Sequence, residues 1–227
     1  MAAASALAEE PDIHHPALSH AASDTPFSIT IENLWASRYV TEGTDNLNGH
    51  GILSQLVTLR TRSFHVDIWQ GTGFDTNYAE LNVQAVVDFE VGGVDAYVSF
   101  NHKRFFHSDL HDNEVGAGFR YDKLPCDCFV AADWYHSFNA QGSYFEASFG
   151  TEKEWRGVKV IPAVAVTFNA GYLEDDARGL RSVMPRLDLS IPLTKSLRLA
   201  AYGGWNLPLS EDAEKFFWGG AGLKVEF

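Results

Sequence analysis

The sequence lacks an apolar run long enough to form a transmembrane helix, although 45% of its 227 residues are hydrophobic. Such a helix needs roughly 18 or more consecutive apolar residues. The chain is therefore either soluble or crosses a membrane with β-strands, in which apolar residues facing lipid alternate with polar residues facing a lumen. The content of 16 Phe, 8 Tyr, 6 Trp and 19 Gly favours a β-rich architecture in both cases.

Basic residues are scarce as well. The chain has 17 Lys and Arg against 30 Asp and Glu, which gives a formal net charge of −13. Binding to nucleic acid requires clusters of Lys and Arg that neutralise phosphates. No such cluster occurs in the sequence, so we expect no nucleic-acid partner.

Cysteines and catalytic motifs are also few. Cys126 and Cys128 are the only cysteines and could supply only half of a structural zinc site. No Gly-x-Ser-x-Gly, metalloprotease or phosphate-loop motif occurs. His136 and Ser137 are adjacent, so in a strand they point to opposite faces and cannot form a catalytic dyad. We therefore predict a protein that is not an enzyme and has no cofactor.

A strand pattern is present from Thr25 to the end. Short runs alternate apolar and polar residues with a period of two, and clusters of Gly, Asn, Asp or Pro separate them. Most runs have about ten residues or more, as in a tilted strand that crosses a bilayer, whereas soluble strands have a mode near five or six. Twelve runs occur, at 27–40, 51–60, 63–71, 78–90, 94–102, 113–122, 128–138, 143–150, 157–169, 181–191, 196–206 and 215–227.

The connections between these runs fall into two groups by parity. If the last run ends on the periplasmic side, the connections after even runs are periplasmic and mostly short, as at 91–93 and 192–195. Those after odd runs are extracellular and generally longer, as at 41–50, 102–112 and 170–180. Outer-membrane barrels have this asymmetry of short periplasmic turns and long outer loops.

The C-terminal run supports the same interpretation. Phe217, Leu223, Val225 and Phe227 share one face, and the chain stops on the aromatic residue. This ending resembles the terminal strand that the barrel-assembly machinery recognises. The sequence therefore predicts an all-β fold, a transmembrane antiparallel up-and-down β-barrel of about 12 strands in the bacterial outer membrane. Its expected partners are the barrel-assembly machinery, outer-membrane lipid, lipopolysaccharide and small solutes.

The N-terminal segment is predicted to lie outside the barrel. Ala6-Leu7-Ala8 has the small-x-small form of a signal-peptidase site, so residues 1–8 are interpreted as the tail of an export signal. Residues 9–25 hold two Pro and no periodic pattern, which indicates a flexible periplasmic leader. The barrel is predicted over 26–227.

A family resemblance rests on the first hairpin. The stretch Ser37-Arg-Tyr-Val-Thr-Glu-Gly43, followed by Asn46-Leu-Asn-Gly-His-Gly51, resembles the first hairpin of the outer-membrane barrels grouped as Gcw_chp. That hairpin tends to have Arg where Glu42 stands here. The resemblance implies an outer-membrane barrel and no particular substrate, because the family has no firmly assigned one.

Function in such a barrel would reside on the lumen face and on the outer loops. The alternation predicts that the lumen is lined by Asp67, Glu80, Gln84, Asp88, Asp95, Asn101, Glu114, Arg120, Asp133, Glu146, Lys159, Arg186, Asp188 and Arg198. We predict that these charges line a water-filled path and that the protein is a passive, porin-like channel for small solutes or cations. The alternative is that they pair and plug the lumen of a structural or interaction barrel. A soluble secreted β-sandwich or lipocalin-like binder is a further alternative.

One outer loop is a candidate metal site. His102, His107 and His111 lie close together in the sequence, and imidazole suits Zn or Cu. Their spacings match no known site, so ordinary solvated loop residues remain the alternative.

Overall fold

Twelve long β-strands make up most of the chain. The computed structural model describes residues 27–108, 110–173 and 178–227. The predictions for residues 1–8 and 9–25 therefore lie outside the described residues. The strands are β1 (Ser28–Ala36), β2 (Ile52–Arg60), β3 (Phe64–Gly73), β4 (Ala79–Val91), β5 (Val94–Phe105), β6 (His111–Leu124), β7 (Cys128–Ser137), β8 (Gly142–Thr151), β9 (Val158–Ala170), β10 (Gly179–Pro192), β11 (Leu197–Pro208) and β12 (Phe216–Glu226).

The strands form a closed barrel. Each strand pairs antiparallel with the next one in the chain, and β1 pairs with β12 in a register that places Trp35 opposite Ala221. Closure satisfies the backbone groups of both edge strands, as a sheet in lipid must do because lipid offers no hydrogen bonds. The prediction of a 12-stranded up-and-down barrel is confirmed.

The alternation of side chains separates the two faces of the wall. On β4, Glu80, Gln84 and Asp88 are buried inside the barrel, while Val83 and Val87 are exposed on its outer surface. This follows from the period of two along a strand. The outer surface carries a broad set of exposed Phe, Trp, Leu and Val side chains, as the lipid-facing wall of a membrane barrel requires.

The strands meet in short turns at the end of the barrel that carries the C-terminus. Gly92 and Gly93 connect β4 to β5 with φ angles of 61° and 84°, a left-handed conformation that a two-residue hairpin turn requires. A 3-10 turn, Pro125–Asp127, connects β6 to β7; the free cysteine Cys126 lies in this turn, and the other free cysteine, Cys128, is the first residue of β7. No helix in the described part of the chain is long and apolar enough to cross a membrane.

The outer connections differ from the predicted ones in two places. β1 ends at Ala36 and not near residue 40, because residues 37–51 turn into the barrel and form a small hairpin of Val40–Thr41 and Thr44–Asp45. The connection predicted at 102–112 shrinks to 106–110, because β5 continues its alternation to Phe105 and β6 already begins at His111.

Candidate functional site

The long outer loop at residues 37–51, here called L1, folds into the lumen. Tyr39, Thr41 and Leu47 of L1 are buried inside the barrel. Asn206 of β11 donates a hydrogen bond of 3.0 Å from Nδ2 to the Gly43 carbonyl. Arg181 of β10 donates to the Thr44 hydroxyl at 3.0 Å. L1 therefore reaches across the outer end of the lumen and is fixed to the wall formed by β10 and β11.

The tip of L1 fits closely against β10. Gly43 has a φ angle of 72°, and a Cβ atom at this position would lie 2.5 Å from the Ser182 hydroxyl. Both the backbone conformation and the lack of space require glycine here. The tip of L1 therefore packs at one defined position inside the barrel.

The other anchor of L1 is a carboxylate on β4. Glu80 accepts hydrogen bonds from the hydroxyls of Tyr39, at 2.8 Å, and of Tyr78 in the turn before β4. Burial and then the nearby Glu80 carboxylate raise the pKa of Tyr39 and of Tyr78 well above the ordinary value, so both hydroxyls remain donors. L1 is thus held between opposite walls of the lumen.

A second segment enters the lumen from the connection between β9 and β10. Tyr172 and Leu173 are buried, and Asn169 accepts hydrogen bonds from both of their backbone amides, at 2.9 and 3.1 Å. The Tyr172 hydroxyl donates a hydrogen bond to Glu114 and accepts one of 3.0 Å from the Lys103 ammonium group. L1 and the 171–173 segment therefore narrow the extracellular opening of the lumen from different sides.

The wall from β3 to β8 is charged, and its charges are paired. Lys103 and Glu114 form a buried ion pair of 2.6 Å. Arg186 of β10 lies 3.4 Å from Glu146 of β8. Arg120 stacks over the Phe129 ring, 3.8 Å from its centroid, and lies 3.5 Å from a Glu152 oxygen. Pairing of this kind offsets part of the large cost of removing charges from water.

A further polar cluster lies near the periplasmic end of this wall. The His65 ring lies between two carboxylates, with Nδ1 2.8 Å from Asp88 and Nε2 3.3 Å from Asp67. Arg60 binds the same Asp88 oxygen at 2.8 Å, and Thr58 donates to Asp67 at 2.6 Å. These contacts join β2, β3 and β4 across the inside of the barrel.

A cavity of about 230 Å³ lies inside the barrel. It runs from Trp218 to Lys224 along β12, and six residues of strand correspond to about 20 Å. L1 closes over its outer end with Arg38, Tyr39 and Val40. The cavity therefore extends through much of the height of the barrel.

All of the side chains predicted to line the lumen lie on the inward face. Asp67, Glu80, Gln84, Asp88, Asn101, Glu114, Arg120 and Glu146 are buried there, and Asp95, Asp133, Lys159, Arg186, Asp188 and Arg198 occupy inward positions with partial exposure. Tyr97 donates to Asp133 at 2.7 Å, and Arg198 donates to the Ser190 hydroxyl at 2.7 Å. Lys103 is inward as well, although sequence reasoning placed it in an outer loop.

The three histidines of the candidate metal site do not converge. His102 lies on the outer face of β5, where Nδ1 is 2.9 Å from the Asn113 side chain, and its ring centroid is 6.4 Å from that of His111. His107 is exposed in the 106–110 turn. In the described ranges no three His, Cys, Asp or Glu side chains form a group that could hold a metal ion. β5 and β6 are longer than predicted, and this places His102 and His111 on strands of the barrel wall and not in a loop.

A serine–histidine contact escaped the sequence reasoning. His136 cannot reach Ser137, but its Nδ1 lies 3.0 Å from the hydroxyl of Ser143 on the neighbouring strand. Both side chains are on the outer surface, between Trp134 and Phe138. Cross-strand pairing, which no local motif reveals, brings them together.

Solved structures with the same fold are outer-membrane channels. A KdgM porin superimposes with a TM-score of 0.61 at 10% identity, covering 88% of this chain and 99% of that chain. An outer-membrane channel from Pseudomonas putida F1 gives a TM-score of 0.60 at 11% identity, covering 90% of this chain and 97% of that chain. The chain therefore has the fold of bacterial outer-membrane porins and channels, as the strand pattern predicted.

The sequence comparisons give no closer assignment. No family model matches the chain, and no curated protein matches it. The resemblance of the first hairpin to the Gcw_chp barrels therefore stays a prediction. Much of the stretch that carries it is L1, the segment that folds into the lumen.

Proposed function

We propose that the protein is a passive channel of the outer membrane for small solutes. The observation that carries this proposal is the cavity of about 230 Å³ inside a closed barrel, whose lining includes the charged side chains of Arg186, Asp188 and Lys224 beside apolar ones. Water and small solutes can occupy such a lumen, and the charges on its wall then select among them. L1 restricts the outer end, so passage is limited to molecules much smaller than the barrel.

The outer wall supports location in a lipid bilayer. Large apolar side chains are exposed around the barrel, among them Trp35, Phe100, Phe149, Trp205 and Phe217. In water, an apolar surface this extensive would promote association. Outer-membrane lipid and lipopolysaccharide are the proposed partners of this wall. The barrel-assembly machinery is the proposed partner of β12 and Phe227.

A structural barrel with a blocked lumen is the second candidate. The buried pairs on the β3–β8 wall and the inward fold of L1 favour it, because both fill space that a wide channel leaves open. This candidate predicts a folded barrel in the membrane without solute flux.

A swelling assay on liposomes that contain the purified protein separates the two candidates. We expect neutral solutes of glycerol size to enter, and the rate to fall steeply between a monosaccharide and a trisaccharide because L1 narrows the mouth. Liposomes without protein serve as the control. If folded protein is present, shown by heat-modifiable migration on gels, and no solute enters, the channel proposal is wrong and the blocked barrel is favoured.

A further inference from the structure

The two sides of the lumen differ in chemistry. From β3 to β8, the inward side chains are mostly polar and pair with one another. The cavity faces another surface, formed chiefly by β9 to β12, β1 and β2. Its apolar lining includes Leu34, Ile52, Leu56, Ile161, Tyr202 and Trp218. Trp69 of β3, Phe129 of β7 and Tyr39 of L1 add three aromatic rings.

An apolar wall disfavours the binding of ions and sugars relative to that of apolar solutes. Hydrophobic constrictions tend to lose water, which raises the barrier for any strongly hydrated solute. An apolar solute instead gains free energy in proportion to the area of its surface that leaves water against such a wall. Aromatic rings add favourable ring contacts with a planar solute. The lining thus favours solutes with an apolar body.

Charged side chains also face the cavity. Lys224 of β12 lines it toward the periplasmic end, and Arg186 lines it from the middle of β10, together with the carboxylates of Asp188 and Glu32. Arg186 is near two carboxylates, at 3.4 Å from Glu146 and 4.0 Å from Asp188. Lys224 stands directly opposite Glu32 of β1 and Arg198 of β11 in the strand register. A single anionic group at the end of an apolar body would complement this ammonium group.

We infer that the lumen binds and conducts small monocarboxylic acids with an apolar, preferably aromatic, body. The apolar body lies against the wall that includes Leu56 and Trp218, and the carboxylate lies toward Lys224. This inference rests on the proposed function for its transport part only. Binding in the cavity requires no flux and can be measured separately.

Calorimetric titration of the folded protein in detergent tests the binding. The probe is 3-phenylpropionate, compared with gluconate, which has the same charge and a polar body, and with 3-phenylpropionamide, which has the same body without charge. We expect 3-phenylpropionate to bind at least about tenfold more tightly than gluconate, because only its ring removes apolar surface from water. We expect the amide to bind more weakly than the acid.

Three variants locate the site. Trp218→Ala is expected to weaken the binding of 3-phenylpropionate severalfold, whereas Phe217→Ala, which removes the neighbouring ring from the outer face, leaves it unchanged. Lys224→Gln is expected to abolish the preference for the acid over its amide. Heat-modifiable migration shows whether each variant folds. If Trp218→Ala does not fold, Lys224→Gln still tests the carboxylate site, because the charge is removed without loss of packing.

The outcomes separate this inference from the proposed function. Swelling of liposomes by neutral solutes, together with equal binding of gluconate and 3-phenylpropionate, would overturn the inference and leave the channel intact. Binding of 3-phenylpropionate with the expected dependence on Lys224, but without any flux, would uphold the ligand class and refute the channel. Equal effects of Trp218→Ala and Phe217→Ala would also refute binding in the lumen.

Discussion

A Lys103→Met substitution is expected to destabilise the folded barrel by about 3–5 kcal/mol, because it leaves the Glu114 carboxylate buried without its cation. Lys103 and Glu114 are both almost fully buried, and their charged groups are 2.6 Å apart. The Tyr172 hydroxyl also bonds to Lys103, so the substitution loosens the 171–173 segment as well. Unfolding by urea in lipid vesicles, followed by tryptophan fluorescence, measures the loss.

Two further variants control this result. Arg104→Met removes the neighbouring cation, which lies on the outer face over the Phe106 ring, and is expected to change stability by less than about 1 kcal/mol. Adding Glu114→Gln to Lys103→Met is expected to restore part of the lost stability, because no unpaired charge then remains buried. Equal losses for Lys103→Met and Arg104→Met would show that the lumen pair contributes nothing specific.

Shortening L1 is expected to raise the single-channel conductance at least about twofold, because the loop crosses the outer end of the lumen and narrows the water path. Ala36 and Ile52 are direct partners across β1 and β2, so a two-residue Asn-Gly turn can replace the residues between them without moving either strand. The replacement gives up two backbone hydrogen bonds at the ends of L1, from the Ser37 amide to Gly219 and from the Phe74 amide to Gly51. Conductance in planar bilayers measures the change.

A matched loop variant shows whether the effect belongs to L1. The described residues of the 106–110 turn are exposed and lie outside the lumen. Replacing that turn with the same Asn-Gly dipeptide is expected to leave conductance unchanged. An unchanged conductance on removal of L1 would show that the narrowest point of the lumen lies elsewhere. The 171–173 segment would then be the next candidate.

The sequence was sufficient to predict the barrel because a membrane wall depends on a local rule. Each strand must alternate apolar and polar residues, so the inward positions of Glu80, Gln84 and Asp88 can be read from the chain alone. The side on which each connection lies was predicted from the parity of the connection lengths, with the last strand taken to end on the periplasmic side. The predicted strand ends were less accurate, because a polar residue is as compatible with the inward face of a strand as with a loop.

The arrangement inside the lumen could not be predicted in the same way. The inward fold of L1 depends on contacts such as Asn206 with Gly43, which are 163 positions apart in the chain. The cavity depends on which inward side chains meet across the barrel, and alternation does not contain that information. Apolar inward residues such as Leu56 and Trp218 also weaken the alternation, so sequence reasoning emphasised the charged wall and missed the apolar one.

Single-channel recording of the unmodified protein in planar bilayers tests the channel most directly. We expect discrete conductance steps in symmetrical KCl, small in amplitude because L1 and the 171–173 segment narrow the extracellular opening of the barrel. The steps should appear only with protein that shows heat-modifiable migration, and should vanish after it is boiled. A bilayer that contains folded barrel but remains as insulating as bare lipid would contradict a continuous path through the lumen.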